Sequence, residues 1–549
     1  MAAHIDTGAM NAPINYKSYT LDHLGLVAGV YDELGIGQLI DQLIPQKFEQ
    51  QTISVGQAVK AMVINGLGFT QRTLYLMPDF YKNRPVERLI GAGICAEDLN
   101  DTTLGRALDK IYDQGVTEVY SPIAVQAVKA LGLDCQSAHI DSTSFHVDGA
   151  YNSKTGASKG VVHITKGYSR DHRPDLNQLS FQLITEHQAG IPILMEPLDG
   201  NSVDKNSFRD TVNTHIGQLK ESLQLEYLIG DSALYVAKTL QDLEGTLWIS
   251  RVPETLVDAR ESIAAIAPDL LETPDEVSFR SIGITYAGIQ QRWLVVYTPE
   301  AHHRAIESVN RQTRKQTHAS VKTFQKLCRQ DFACIEEAQK SLDAYKKSQT
   351  FIDVMDEQIV KIPRYKSSGR PGKDQQPDYF SYRIKGNLAT LLLERQQRIE
   401  RKSCYVLATN QLDSELLIDQ DIIHKYKNQQ KVERGFRFLK DPLFMASTLF
   451  LKSPKRIMAL TMVMTLCLLV YAALEYKIRQ ALRENNQTFP NQKGEEIPNP
   501  TARWIFQFFA GIHVLLVQES QTIVLNMNQY HFLIVRLLGS EYEKLYSGN

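Results

Sequence analysis

Residues 457 to 474 read IMALTMVMTLCLLVYAAL, 18 residues without a charge. That length just reaches what spans a bilayer. It also suits a helix buried on all sides within a large protein. Two Thr, three Met and the lack of long Ile/Val runs keep its hydropathy moderate. It is the only such segment and lies deep in the chain. A buried helix packed against the rest of the protein is therefore expected, and no membrane span.

The rest of the chain has the means to surround it. With 549 residues, 43% hydrophobic and 22% charged, it has the composition of a globular protein of two or three domains. The net charge of -2 excludes a chain that is basic throughout, so any nucleic-acid surface must be a local patch. The six cysteines include no Cys-x-x-Cys pair and no Cys/His cluster with zinc spacing. Scattered cysteines fit reduced thiols, and a cytoplasmic location is expected. The first twenty residues lack a basic region followed by an apolar run, so no signal peptide is expected.

The texture changes along the chain. Residues 1–133 read as a helical N-terminal domain, with Ser54 placed to cap the helix SVGQAVKAMVINGLGF. From Ser137 the pattern turns to strands: SAHIDSTSFHVDG, VVHIT as its partner, LSFQLITEH with AGIPILMEPL, then EYLIGDSALY and LWISRV, with helices between. This is an α/β pattern, assigned to 134–253. Residues 254–402 interrupt it with a strand pair, a polar helical stretch over about 299 to 348 rich in Lys and Arg, and the loop IPRYKSSGRPGKDQQP. Strand character resumes in SCYVLATN within 403–482, and 483–549 reads as a C-terminal helical region.

Three acids stand out. Asp141 sits among apolar neighbours in AHIDSTS, where an ionised group needs a partner or a metal. Asp231 follows Gly230 at the end of an apolar strand, where α/β sheets bind ligands. Glu433 lies in YKNQQKVERGFRFLK, where Tyr426, Glu433 and Lys440 recur every seven residues. On one helix these three share a side, joined at three- and four-residue offsets by Gln429, Gln430 and Arg437. A carboxylate among cations and a phenol suits a metal-bound phosphate. Three carboxylates from two strands and a helix suit two hard cations such as Mg²⁺, which clamp both oxygens of an in-line phosphoryl transfer. Asp148, Asp171, Asp199 and Asp210 are competing acids in the same region.

The blocks HIDSTS, GYSRDHRPDLNQ, LDGN, IGDSALY, LATN and then Tyr426-x₂-Gln429-x₃-Glu433-x₆-Lys440 occur in this order. The chain resembles, over essentially its whole length, the DDE-type bacterial transposases of the insertion-sequence-four group, whose signature is Tyr-x₂-Arg-x₃-Glu-x₆-Lys. The resemblance implies an RNase H-like catalytic core, with the helical N-terminal domain before it and an α+β domain inserted between the second Asp and the catalytic Glu. It assigns Asp141, Asp231 and Glu433 as catalytic, metal-binding residues for Mg²⁺, two ions with Mn²⁺ as a substitute. It places Tyr426 and Lys440 on DNA near the cleaved phosphate. Gln429 stands where the group has Arg; Gln donates a hydrogen bond but brings no charge.

The implied activity is cut-and-paste transposition: metal-dependent cleavage at transposon ends and strand transfer into target DNA. The implied partners are double-stranded DNA, as terminal inverted repeats and target, and a second copy of the chain on paired ends. The protein would be nucleoid-associated when on DNA. Arg437, and Arg314, Lys315 and Lys322 in the basic insertion, are further expected DNA contacts; the insertion's cations pairing with Glu307, Glu336, Glu337 and Asp343 on a solvated helix is the competing expectation. The alternatives are a catalytically inactive, transposase-derived DNA-binding protein and a metal-dependent nuclease without strand transfer.

Overall fold

The computed structural model describes the chain except for residues 1–15, 46–51, 70–72, 148–150, 152–159, 170–172, 274, 367–371, 373–374, 442–450, 452, 518–520 and 549. Asp148 and Asp171 lie outside the described residues. The fold is mixed α/β with a large mixed sheet. The chain forms two compact units, one of residues 1–249 with 420–549 and one of residues 250–419.

In the first unit, β1 (Tyr16–Thr20) pairs antiparallel with His513–Val517, so the two ends of the chain share one small sheet. Helices Leu24–Glu33, Ile36–Leu43, Val55–Gly66, Asp101–Gln114 and Val116–Ala130 follow. Ser54 caps the third in a capping box: its hydroxyl accepts the Gln57 N–H, and the Gln57 side chain accepts the Ser54 N–H. Gly56 is required there, because a Cβ would lie 2.3 Å from the Gly37 carbonyl oxygen.

The uncharged run forms the centre of a 31-residue helix, Pro454–Glu484. Every residue from Ile457 to Leu474 except Tyr471 is buried. The helix packs on Leu24–Glu33, Val55–Gly66, Asp101–Gln114 and Gln529–Leu538. Its two central threonines stay dry by bonding back to carbonyls, Thr461 to Met458 (2.6 Å) and Thr465 to Thr461 (2.8 Å). At its start, Arg456 grips Asp109 with two bonds of 2.8 and 2.7 Å. The residues expected as a separate N-terminal domain thus share one hydrophobic cluster with this helix and with the sheet.

This unit's part of the large sheet is β2 (Ser137–His146), β3 (Gln178–Glu186), β4 (Pro192–Leu198), β5 (Tyr227–Gly230) and β6 (Leu247–Arg251), in the order β4-β3-β2-β5-β6. The β2–β3 and β3–β4 pairs are antiparallel, and the β2–β5 pair is parallel. Helix Asp204–Leu223 connects β4 to β5, as a crossover into a parallel strand requires. The expected partner strand VVHIT does not form. Residues 161–165 keep only a single bridge, Thr165 with Gln178, because β3 already occupies that edge of β2 along its whole length.

The second unit holds helix Val257–Leu270 and the hairpin of β7 (Ser278–Tyr286) and β8 (Ile289–Tyr297). The long hairpin of β9 (Ile352–Arg364) and β10 (Tyr379–Thr390) follows, and β11 (Cys404–Thr409) pairs antiparallel with β8. The polar helical stretch is two helices, Pro299–Arg329 and Ile335–Lys347. The chain breaks between them where Phe332 exchanges backbone hydrogen bonds with Tyr382 of β10. Trp293, Val295 and Val406 of the strands and Ile263 of helix Val257–Leu270 are buried, and two small clusters form under the long helices, one around Phe324, Phe332 and Tyr345, the other around Val309, Phe351 and Ile399.

Candidate active site

β2 and β5 run parallel, with Ile140 opposite Gly230. Asp141 is the next residue of β2, and Asp231 is the first residue beyond β5, so the two directly follow the last paired level of the β2–β5 ladder. Asp141 is buried, 8% exposed, and its Oδ1 accepts the Ser142 N–H at 2.7 Å. Asp231 is half-buried and closes an Asx turn by accepting the Ala233 N–H at 2.8 Å. On the opposite face of β2, the Ser142 hydroxyl donates to Asp204 at 2.5 Å.

Glu433 arrives on helix Gln430–Leu439. Val432, Phe436 and Leu439 form its buried stripe and share a cluster with Phe145, Leu179, Phe181 and Leu183. By register, Thr143 and Phe145 share the face of Asp141, and Leu183, Phe181 and Leu179 oppose the three on β3. The Glu433 helix therefore covers the sheet face that carries Asp141. Helix Pro454–Glu484 packs on its other neighbour, β4. Arg434 and Phe438 face that side. Glu433 and Lys440 lie some 100° or more around the helix from Arg434 and Phe438.

The structure thus brings Asp141 and Asp231 to the same end of the β2–β5 ladder and sets exposed Glu433 on the helix packed against β2, without joining it to them. Among the described residues, no three His, Cys, Asp or Glu side chains form a metal-binding group.

The other expected residues fall around this helix. Lys440 ends it, half-buried, with its ammonium 5.8 Å from the centre of the Phe145 ring. Arg437 is exposed one turn after Glu433. Tyr426 belongs to a separate helix, Asp419–Lys427. The continuous helix expected over 426–440 tightens at 428–429, where N–H groups bond three residues back (Lys431 to Asn428, Val432 to Gln429). That turns Tyr426 off the line of Glu433. Gln429 is buried, 7% exposed, and its Oε1 has no hydrogen-bond partner. In the second unit, Arg314, Lys315 and Lys322 are exposed on Pro299–Arg329. No ion pair among the described residues joins them to Glu307, Glu336, Glu337 or Asp343.

One constellation escaped the sequence. His139 of β2 and His187, after β3, stack and share a 2.9 Å bond between ring nitrogens. Burial and nearby Lys431 and Lys425 pull both below the usual histidine range, to about 3 and about 4. His187 also contacts Asn428 at 3.1 Å, and Lys431 donates to the His187 and Gln188 carbonyls at 2.6 and 2.9 Å. These contacts anchor the start of the Glu433 helix to the sheet. Histidines far apart in sequence gave no motif by which to find them.

Asp141 thus lies within β2, Asp231 just past the end of β5, and Glu433 on a helix packed against β2 and β3. The profile of the family described as "Transposase DDE domain" matches residues 138–470, and the chain belongs to that family. Residues 16–125 match a domain of unknown function (DUF4277). No curated protein matches the chain significantly. Among solved structures it is similar to a piggyBac transposase in a synaptic complex with hairpin DNA, at 9% identity and a TM-score of 0.37, over 94% of this chain and 81% of that one.

Proposed function

We propose that the protein is an insertion-sequence transposase that cleaves DNA at transposon ends and joins the ends to target DNA, using an RNase H-like core. The observation that supports this best is that Asp141 and Asp231 directly follow the paired residues Ile140 and Gly230, with the Glu433 helix packed against β2. Their oxygens are the donors that hard cations such as Mg²⁺ or Mn²⁺ take, and two such ions would neutralise charge on the attacking and leaving oxygens. Asp141 and Asp231 would hold them, with Glu433 completing the set. Lys440 and Arg437 would orient the DNA strand through its phosphates, and the apolar packing of Val432, Phe436 and Leu439 fixes the Glu433 helix on the sheet. The protein would act in the bacterial cytoplasm, on the nucleoid, as a dimer holding paired ends, and the exposed cations of Pro299–Arg329 would add a DNA surface.

The test is cleavage and joining of duplexes that carry the inverted repeats flanking the coding DNA, with Mg²⁺ present. Asp141→Asn, Asp231→Asn and Glu433→Gln should each reduce cleavage at least about a hundredfold, the scale of losing one group that stabilises transition-state charge, while end binding persists. Cleavage without joining would make the protein a nuclease. Binding without cleavage by the unaltered protein would make it an inactive relative.

A further inference from the structure

Beyond the flank that carries Glu433, helix Gln430–Leu439 borders a second feature. A cavity of about 600 Å³, open to solvent, lies between this helix, helix Pro454–Glu484 and the turn at Gln188–Gly190. Six cations line it: Lys431, Arg434, Arg437, Arg479, Arg483 and Arg503. Its acids are Asp441, paired with Arg503 at 2.8 Å, and Glu475, paired with Arg479 at 2.8 Å. Lys431 is held by neutral carbonyls. Among the described residues, Arg434, Arg437 and Arg483 form no ion pair, in a chain whose net charge is -2.

Gathering like charges is costly, about 1 kcal/mol for each pair at 4 Å even in water. Lys431 sits below the usual lysine range chiefly because of burial; Glu186 opposes that shift, and Arg434 and Arg479 add to it. A polyanion would relieve the repulsion. Arg434, Arg437 and Arg483 are exposed at the rim, which suits a charged backbone laid across the opening better than a small anion enclosed within it. The wall at Gly190 carries no side chain, and its backbone has φ of +80°, a conformation that favours glycine. The floor is the ring pair Phe438 and Tyr471, centroids 4.5 Å apart.

We propose that this cleft is a second phosphate-binding site, which takes backbone phosphates of duplex DNA alongside the strand held at Glu433. The proposal rests on the reading of the chain as a DNA-processing enzyme and adds a site to it. Arg434 and Arg483 supply the charge at the rim, Lys431 lies deeper, and Arg479 and Arg503 are held in place by their carboxylates. One helix then grips DNA on one flank and presents the reacting carboxylate on the other, so that docking at the cleft sets the register of the strand at Glu433.

The experiment measures binding of the full-length protein to a blunt duplex across a salt series, with Arg434→Gln, Arg483→Gln and the double variant. The double variant should lower the slope of log affinity against log salt by about two, so that the ratio of affinities at about 50 and 200 mM salt shrinks about tenfold. Each single variant should remove about one, and serves if the double variant does not fold, as thermal melting will show. An unchanged slope in a folded variant overturns the proposal. So does inorganic phosphate raising the melting temperature of the unaltered protein alone while the DNA slope stays the same in the variants; the site would then take a small free anion. If the unaltered protein binds duplex but does not cleave it, transposase activity fails and the cleft stands. If it cleaves and the slope is unmoved, only the cleft fails.

Discussion

Two helices of this protein have the same length, 31 residues, and opposite surroundings. Pro454–Glu484 buries nineteen residues; Pro299–Arg329 buries four, Ala305, Val309, Ser320 and Phe324. The backbone hydrogen bonding is the same in both, so helix formation itself does not distinguish them. Side chains do. The first gives its unit a spine, and each buried Leu contributes about 1.5–3 kcal/mol relative to exposure. The second spends its length holding Arg and Lys in water, where they add little to stability and create a local positive field in a chain of nearly balanced charge. One helix carries the fold, and the other displays a surface.

The sharpest way to break this contrast is to cut both helices equally. Leu469→Ala in the buried helix removes a fully buried side chain and should cost about 2–5 kcal/mol. Val321→Ala in the exposed helix should stay within about 0.5 kcal/mol. Urea unfolding of the two variants measures both. Equal losses would mean that the exposed helix is packed in solution against something that covers it.

The second test reverses charge instead of removing bulk. Arg314→Glu, Lys315→Glu and Lys322→Glu together should leave unfolding nearly unchanged, since none of the three takes part in an ion pair among the described residues. Duplex binding should weaken, and its salt slope should fall by about three, one for each phosphate no longer neutralised. If affinity and slope are both unmoved, this helix is a solvated face and the DNA surface lies elsewhere.

The same contrast explains what could be read before the fold was known. Apolar periodicity and an uncharged run announce burial, so the long helix, the Ser54 cap and most strands of the first unit were legible. Alternation and β-branched residues made β2 readable as a strand, and an acid among apolar neighbours drew attention to Asp141. Packing between distant segments leaves no such trace. The β9 strand buries only Ile352 and Val354 and carries Asp356, Glu357 and Lys361, so it lacked the apolar alternation that marks a strand. Residues 161–165 had that alternation but lost the edge of β2 to β3. The cationic cleft draws Arg434, Arg479 and Arg503 from separate helices, and only the packing of those helices reveals it. The seven-residue motif was legible in its residues and misleading in its geometry, because the tight turn at 428–429 intervenes.

Gln429 gives the smallest effect and separates surface from scaffold at a single residue. It lies just before the Glu433 helix, buried, with an unpartnered amide oxygen. An orphaned buried acceptor costs about 1–3 kcal/mol. If that amide only fills space, Gln429→Met should stabilise the protein by about 1 kcal/mol, because a similar volume returns without the polar group, and DNA binding should not change. If Gln429 borders the groove of Glu433, Gln429→Arg should behave differently. The longer side chain carries its guanidinium out past the buried stem, gains one phosphate and steepens the salt slope by about one. We expect both results, a stabler Met variant and a tighter-binding Arg variant, since the position sits where the apolar stripe of the helix meets its charged flank. An Arg variant that is destabilised by several kcal/mol with an unaltered slope would place Gln429 wholly inside the core and remove it from the DNA surface.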